Sequence, residues 1–337
     1  MTAESPNPKS GESGAALISV LCLIFTAGIL TGAALALSKA GSFNVTSHVK
    51  LQRSMLVAEG VGNRVQWLIA ADRNLYATTE QLGETLYDEY DGDRYLADRV
   101  PHVIDYYGET VSFTISDARS GVDLSSADYA SALNSLAANR TEETEWTDAL
   151  TMLKEQLTDY LDADGDTTGD DGMEEADYEQ LHMNPLPRNA PMQFREELLY
   201  LPTFRALFTT DRQGRLSDIR LIPPENTVSL TGTPSLLEAS DDMLKSYCGL
   251  EDGEVAEARA AIEAWRSERT PLSDSLDSEL LAKLGKLSRQ ESGYYTVTVS
   301  APKDQSRPFK RLTFSFAAFP VSGPDDGIVR YLEYMFH

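Results

Sequence analysis

Few residues in this sequence are suited to redox chemistry or to binding soft metals. The 337 residues include two cysteines, Cys22 and Cys248, and four histidines without any ligand-like spacing. With so few ligands so far apart, neither a disulfide framework nor a zinc site is expected. The sequence also lacks a GxxxxGK[ST] phosphate loop, an HExxH motif and a Gly-x-Ser-x-Gly motif. We therefore expect a protein that is not an enzyme.

Basic residues are also scarce. Lysine and arginine total 29 against 53 aspartates and glutamates, and the net charge is -24 at pH 7. A chain with this charge repels the phosphate backbone, so we expect no nucleic-acid partner. The same excess of carboxylates permits divalent cations. Hydrophobic residues make up 42% of the chain, which predicts that most of it folds.

Charge is absent altogether from residues 15–37, AALISVLCLIFTAGILTGAALAL. A helix of this length covers about 35 Å, enough for a hydrocarbon core of about 30 Å. The segment therefore predicts a transmembrane span. A cleaved secretory signal is the main alternative, although its apolar part is normally shorter.

Apolar residues continue at near-helical spacing beyond the span. They are Val45, Val49, Leu51, Met55, Leu56, Val65, Leu68 and Ile69. This spacing predicts one long helix over residues 15–75, apolar first and amphipathic later. Such a helix suits a subunit that packs into a membrane or filament and carries a globular head.

The residues around the start of this helix resemble those of type IV pilins and pseudopilins. Gly-Glu-Ser-Gly at 11–14, followed by Ala-Ala-Leu-Ile, looks like a prepilin leader with its cleavage point after Gly14. Most pilins carry Glu five residues after the cut, where this chain has Ser19. The absence of that Glu is similar to the K-type minor pseudopilin of type II secretion.

This resemblance implies several properties. A prepilin peptidase would remove residues 1–14 and expose Ala15, which is often methylated in the family. The helix would sit in the inner membrane as a single pass with its head in the periplasm. The charges do not supply this orientation, because Lys9 is the only base before the span and Lys39, Lys50 and Arg53 follow it.

Alternating apolar and polar residues predict strands on both sides of a helical middle. They occur at 111–116, 294–299 and 312–316, with a further candidate at 328–336. We therefore predict an α+β fold: a long N-terminal transmembrane and amphipathic helix and a pilin-like antiparallel sheet with a large inserted helical domain. The predicted body comprises residues 76–120 and 291–337, and the insert comprises residues 121–290.

The insert contains an acidic loop at residues 162–177, where eight of 16 residues are carboxylates. Its Asp-x-Asp-x-Asp opening resembles a calcium loop, but Thr167 and Met173 break the EF-hand pattern. A solvated loop, a calcium site and a catalytic carboxylate pair are the three interpretations. The calcium hypothesis names as ligands Asp162, Asp164, Asp166 and Asp170, with Glu174, Glu175 or Asp177 closing the shell.

The order of segments in the insert strengthens the resemblance to K-type minor pseudopilins. The acidic loop is followed by a Pro/Asn connector at 184–191 and by a helix that contains Glu197 and Leu198, as in that family. The resemblance implies a minor pseudopilin that caps the tip of the periplasmic pseudopilus with other minor pseudopilins and assists protein export. The alternatives are an accessory minor pilin of a type IV pilus and a signal-anchored periplasmic calcium-binding enzyme or receptor.

Overall fold

A computed structural model describes residues 12–75, 94–124, 129–137, 144–183, 187–208, 216, 219–220, 222, 230, 232–268, 270–303, 310–318 and 331–337. Its helices are α1 Glu12–Leu75, α2 Tyr129–Ala137, α3 Thr144–Leu161, α4 Glu175–Gln180, α5 Phe204–Leu207, α6 Asp241–Cys248, α7 Asp252–Glu268, α8 Leu272–Ser275 and α9 Ser278–Leu284. Two 3-10 helices are η1 Arg195–Tyr200 and η2 Leu236–Glu238. The strands are β1 His102–Tyr106, β2 Glu109–Asp117, β3 Tyr294–Ala301, β4 Lys310–Ala317 and β5 Tyr331–Phe336.

The five strands form one antiparallel sheet in the order β1-β2-β3-β4-β5. Phe113 of β2 pairs with Val299 of β3, and Val297 of β3 pairs with Phe314 of β4. Because side chains alternate along each strand, these apolar residues share one face, and that face packs on α1. The prediction that one sheet contains the strand near 111–116 and the two C-terminal strands is confirmed.

The packed face of α1 differs from the predicted one. Val57, Ala58, Val61, Val65 and Ile69 are buried against the sheet. Only Val65 and Ile69 belonged to the predicted apolar face, and Leu56 is 68% exposed. Val45 and Val49 are also exposed because they precede the part of α1 that the sheet covers.

Two sets of contacts fix α1 to the sheet. Near the start of the covered part, the hydroxyl of Ser54 donates to the carbonyl of Ala301 and accepts from the amide of Lys310 at 2.6 Å. Midway, Gly62 permits close approach, because a Cβ there would lie 2.9 Å from the ring of Phe314. The helix and sheet are therefore held in one orientation.

A buried ionic network lies at the C-terminal end of α1. Arg73 bonds Asp72 and lies 2.5 Å from Glu291, and its Nε donates to the Tyr295 hydroxyl at 2.9 Å. Arg94 adds a 3.0 Å bond to Asp72. Although burial opposes the charge, Glu291, Tyr295 and Asp72 raise the pKa of Arg73. Each buried charge is therefore paired, as burial requires.

The described residues between β2 and β3 are mainly helical and form two large apolar cores. One core surrounds Tyr160, Tyr178 and Phe204 in its first half. The other surrounds Trp265 and Leu244 in its second half, and Tyr247 packs against both cores. The helix predicted to contain Glu197 and Leu198 is the short 3-10 helix η1.

Candidate functional site

The acidic loop begins where α3 ends at Leu161, and its last three residues, 175–177, form the first turn of α4. Its two ends are brought together, so that carboxylate oxygens of Asp162, Asp164 and Glu174 all lie within 4.8 Å of one another. These three residues belong to the predicted ligand set. Grouped carboxylate oxygens are the kind of ligand that a hard cation such as Ca²⁺ prefers.

The other four predicted ligands lie outside this group. Asp166 is exposed, and its amide donates to Asp164 Oδ1 at 3.1 Å. Asp170 and Glu175 are also exposed. Asp177 accepts a 3.1 Å bond from the amide of Glu174 and so caps the start of α4. Their role as ligands stays a prediction.

Asp159 is a carboxylate at this site that the sequence-based prediction did not include. It is fully buried in the last turn of α3, and its Oδ1 accepts from the amide of Thr168 at 2.9 Å. Asp159 and Asp162 are three residues apart, a spacing that places two helical side chains on one face. That spacing could have indicated from the sequence that Asp159 joins the site, but Asp159 lies within the helical pattern of α3 rather than in the loop.

Glycines allow the loop to close over Asp159 and the neighbouring helix. A Cβ at Gly172 would lie 2.3 Å from Asp159 Oδ2, so no other residue fits there without a shift. Gly169 adopts a left-handed φ of +69° beside Glu155, whose carboxylate accepts from the amide of Asp171 at 2.9 Å. The loop is therefore folded by specific contacts with α3.

Two carboxyl groups of this cluster have a raised pKa. Burial first, and then Asp159, Asp162 and Asp164, raise the pKa of Glu174. Burial, Asp164 and Asp159 likewise raise the pKa of Asp162. Like charges held together in this way favour either a shared proton or a bound cation.

Three buried oxygen atoms at the site are relevant to whether it suits a cation. Asp159 Oδ2, Asp162 Oδ1 and Glu174 Oε1 have no hydrogen-bond partner among the described residues. Buried polar atoms are normally paired, and a carboxylate oxygen can bind a metal instead of accepting a proton donor. The donor set consists of oxygens only, so these residues fit a hard cation such as Ca²⁺.

The connector after the loop joins the site to the rest of the insert. The Asn189 side chain donates to the carbonyl of Asp164 at 2.9 Å. Glu197, which is buried, accepts bonds from the Tyr160 hydroxyl at 2.9 Å, from Arg188 at 3.0 Å and from the amides of Gln193 and Phe194. Burial opposes ionisation of Glu197, yet these donors lower its pKa. Loop, connector and η1 therefore form one connected structure.

The predicted processing residues lie in the first turn of α1, at Gly14 and Ala15. Among the described helices, α1 is the one that is long and apolar enough to cross a membrane. None of the residues in its most apolar stretch is buried. The apolar helix suggests a membrane anchor. It extends without a break into the part that packs on the sheet.

Two comparisons with known proteins agree with each other. Residues 120–210 match the family described as "Type II secretion system (T2SS), protein K". The fold is similar to a chain of the GspK-GspI-GspJ complex from the enterotoxigenic Escherichia coli type 2 secretion system, with 12% identity and a TM-score of 0.51. The match covers 85% of this chain and 98% of that one. No curated protein matches the sequence.

The family match lies in the insert, while the structural match extends over most of the chain. Because the sequence identity is 12%, the structural match shows similarity of fold alone. Together they confirm the predicted resemblance to K-type minor pseudopilins and the predicted α+β pilin-like fold. K-type minor pseudopilins are structural components of a secretion apparatus, so the expectation of a protein that is not an enzyme is also confirmed.

Proposed function

We propose that this K-type minor pseudopilin caps the tip of the periplasmic pseudopilus of a type II secretion system and assists protein export. The observation that carries the proposal is the match of residues 120–210 to protein K of type II secretion. These residues lie mainly in the insert, which is attached to a pilin-like helix and sheet. The insert occupies the chain between β2 and β3, so the head is wide compared with α1. A wide head cannot repeat along a tightly packed filament without clashing, whereas one copy at the tip meets no such limit.

Assembly at the tip requires maturation and a defined membrane orientation. In this proposal a prepilin peptidase cuts after Gly14, the new N-terminal Ala15 is methylated, and the apolar part of α1 is held in the inner membrane with the head in the periplasm. The uncharged segment 15–37 and its exposed position on α1 support this arrangement.

The proposed partners are the small minor pseudopilins of the same system. The structural neighbour is described as part of a GspK-GspI-GspJ complex, and this chain covers almost all of that neighbour. In this proposal the corresponding small pseudopilins pack beside α1 of this chain to form the tip complex.

The acidic cluster adds a calcium site to the proposal. Asp159, Asp162, Asp164 and Glu174 would hold Ca²⁺, which accepts six to eight oxygens in flexible geometry. The ion would offset the repulsion among these carboxylates and tie the end of α3 to the start of α4. The unpaired buried oxygens support this assignment.

Export is the function to measure. In cells of the source organism that lack this chain, the exported proteins should accumulate in the periplasm. Expression of the full-length chain should restore their secretion into the medium. A loss of surface pili with normal export would instead indicate an accessory minor pilin of a type IV pilus. Normal export and normal pili would favour a signal-anchored periplasmic receptor.

A further inference from the structure

A polar cavity lies on the face of the sheet opposite α1, with a volume of about 300 Å³. The residues of β2, β3 and β4 that point away from α1 form its floor, among them Thr114, Thr298 and Thr313. Arg195 and Leu216 of the insert also line it. The cavity therefore lies where the insert meets the sheet, away from the acidic cluster.

Serine and threonine are the most frequent residues of this cavity, which we call the hydroxyl cavity. Seven of its 12 described lining residues are serine or threonine. Thr298 Oγ1 lies 3.2 Å from Thr313 Oγ1, and Ser300 Oγ accepts from Arg311 Nε at 3.4 Å. Thr313 is 1% exposed. If this surface only packed the insert against the sheet, apolar side chains would stabilise the contact more than hydroxyls do. A row of hydroxyls here therefore favours a polar occupant.

The charge of the hydroxyl cavity is opposite to that of the whole chain. Arg99, Arg195 and Arg311 line it, and none of its described lining residues is acidic, in a chain with 53 acidic and 29 basic residues. Arg99 contacts Glu238 at 2.7 Å, and Arg195 lies 3.3 Å from Glu196 and 3.8 Å from Glu333, but these carboxylates lie outside the lining. Guanidinium groups of this kind pair well with carboxylate and phosphate groups.

We propose that the hydroxyl cavity binds a small hydroxylated anion, of the size of a monosaccharide that carries one carboxylate or phosphate. The arginines supply charged donors for the anionic group, and the serine and threonine hydroxyls can donate to or accept from the hydroxyls of the ligand. The volume lies at the lower end of the range for small-molecule sites, about 300–1,000 Å³, which fits a monosaccharide. The site does not depend on the pseudopilin role.

Calorimetric titration of the full-length chain in detergent tests this proposal. The probes are glucuronate and glucose 6-phosphate, with glucose and inorganic phosphate as controls that lack the charge or the hydroxyls. We expect one or both hydroxylated anions to bind at least about tenfold more tightly than either control, because the ligand uses both kinds of contact. The relative affinities of the two hydroxylated anions identify the anionic group.

Variants distinguish the hydroxyl cavity from other surfaces. Arg195→Gln should weaken binding about tenfold, and Thr298→Val, which keeps the shape, should weaken it severalfold. Arg205→Gln is the control, since Arg205 is exposed and does not line the cavity. Absence of binding at millimolar concentrations, equal binding of glucose or phosphate, or unchanged affinity in a folded Thr298→Val variant would each overturn the proposal.

Discussion

Replacing Glu174 by Gln should have opposite effects on stability with and without calcium. Glu174 is buried, and one of its oxygens lies within 4.8 Å of oxygens of Asp162 and Asp164. Without calcium, the substitution removes one of four neighbouring carboxylates, the others being Asp159, Asp162 and Asp164, and keeps the shape of the side chain. With calcium, it removes a charged ligand from the site.

The magnitude follows from the separation of the charges. At 4.8 Å, a pair of unit charges repels by about 1 kcal/mol in water and by about 3.5 kcal/mol at an effective dielectric constant of 20. Asp162 and Asp164 are partly exposed, so we take the lower part of this range and expect a gain of about 1–2 kcal/mol without calcium. At a calcium concentration of 100 Kd, wild type should gain about 2.7 kcal/mol. A variant with tenfold weaker affinity should gain about 1.4 kcal/mol at the same concentration.

The assay compares thermal unfolding of the full-length chain in detergent with calcium, with magnesium and with chelator. In chelator the Glu174→Gln variant should melt above wild type, and in calcium this advantage should vanish or reverse. Magnesium should do less, because it demands stricter octahedral geometry. Glu175→Gln is the matched control, since Glu175 is the exposed neighbour outside the cluster. If Glu174→Gln exceeds wild type by the same amount in all three conditions, the loop is solvated and the calcium account is wrong.

Three further predictions concern processing and buried carboxylates. Gly14→Phe should block removal of the leader because the peptidase must hold the chain closely at the cut; an immunoblot that shows normal maturation would remove the support for this cleavage point. Burial raises the pKa of Glu238 to about 7, so its contribution to stability is present below its unfolded pKa of about 4.5 and is lost as the pH rises through about 7. Between pH 4.5 and 8 wild type should therefore lose about 3 kcal/mol more than Glu238→Gln in denaturant titrations, and equal slopes would contradict this. Glu197→Ala leaves Arg188 and Tyr160 without their acceptor and should cost about 3–5 kcal/mol at pH 7. Because donors lower the pKa of Glu197, this cost should shrink as the pH falls through that lowered pKa, and a cost that does not depend on pH would refute the assignment.

Elements with a strong pattern could be predicted from the sequence. The uncharged run located the apolar part of α1, and alternation located β2, β3 and β4. β1 was not predicted because its five residues, HVIDY, do not alternate between apolar and polar: Val103 and Ile104 are adjacent. The predicted strand at 328–336 is β5 from Tyr331 onwards, and residues 328–330 lie outside the described part of the chain.

The face of α1 and the full carboxylate cluster required tertiary structure. Helical spacing alone does not show which face packs on the head, and Leu56 points away from the sheet although its spacing fits. The loop composition identified Asp162, Asp164 and Glu174, which the fold brings together. It could not show that Asp159 is buried beneath Gly172, because that contact depends on how the loop closes on α3.

The measurement that tests the central claim most directly is the mass of the complex this chain forms with the small minor pseudopilins of its own secretion system. The full-length chain, co-expressed with the I-type and J-type subunits and purified in detergent, should elute as one complex whose mass corresponds to one copy of each. A chain that elutes alone, while the I-type and J-type subunits still associate with each other, would contradict the account.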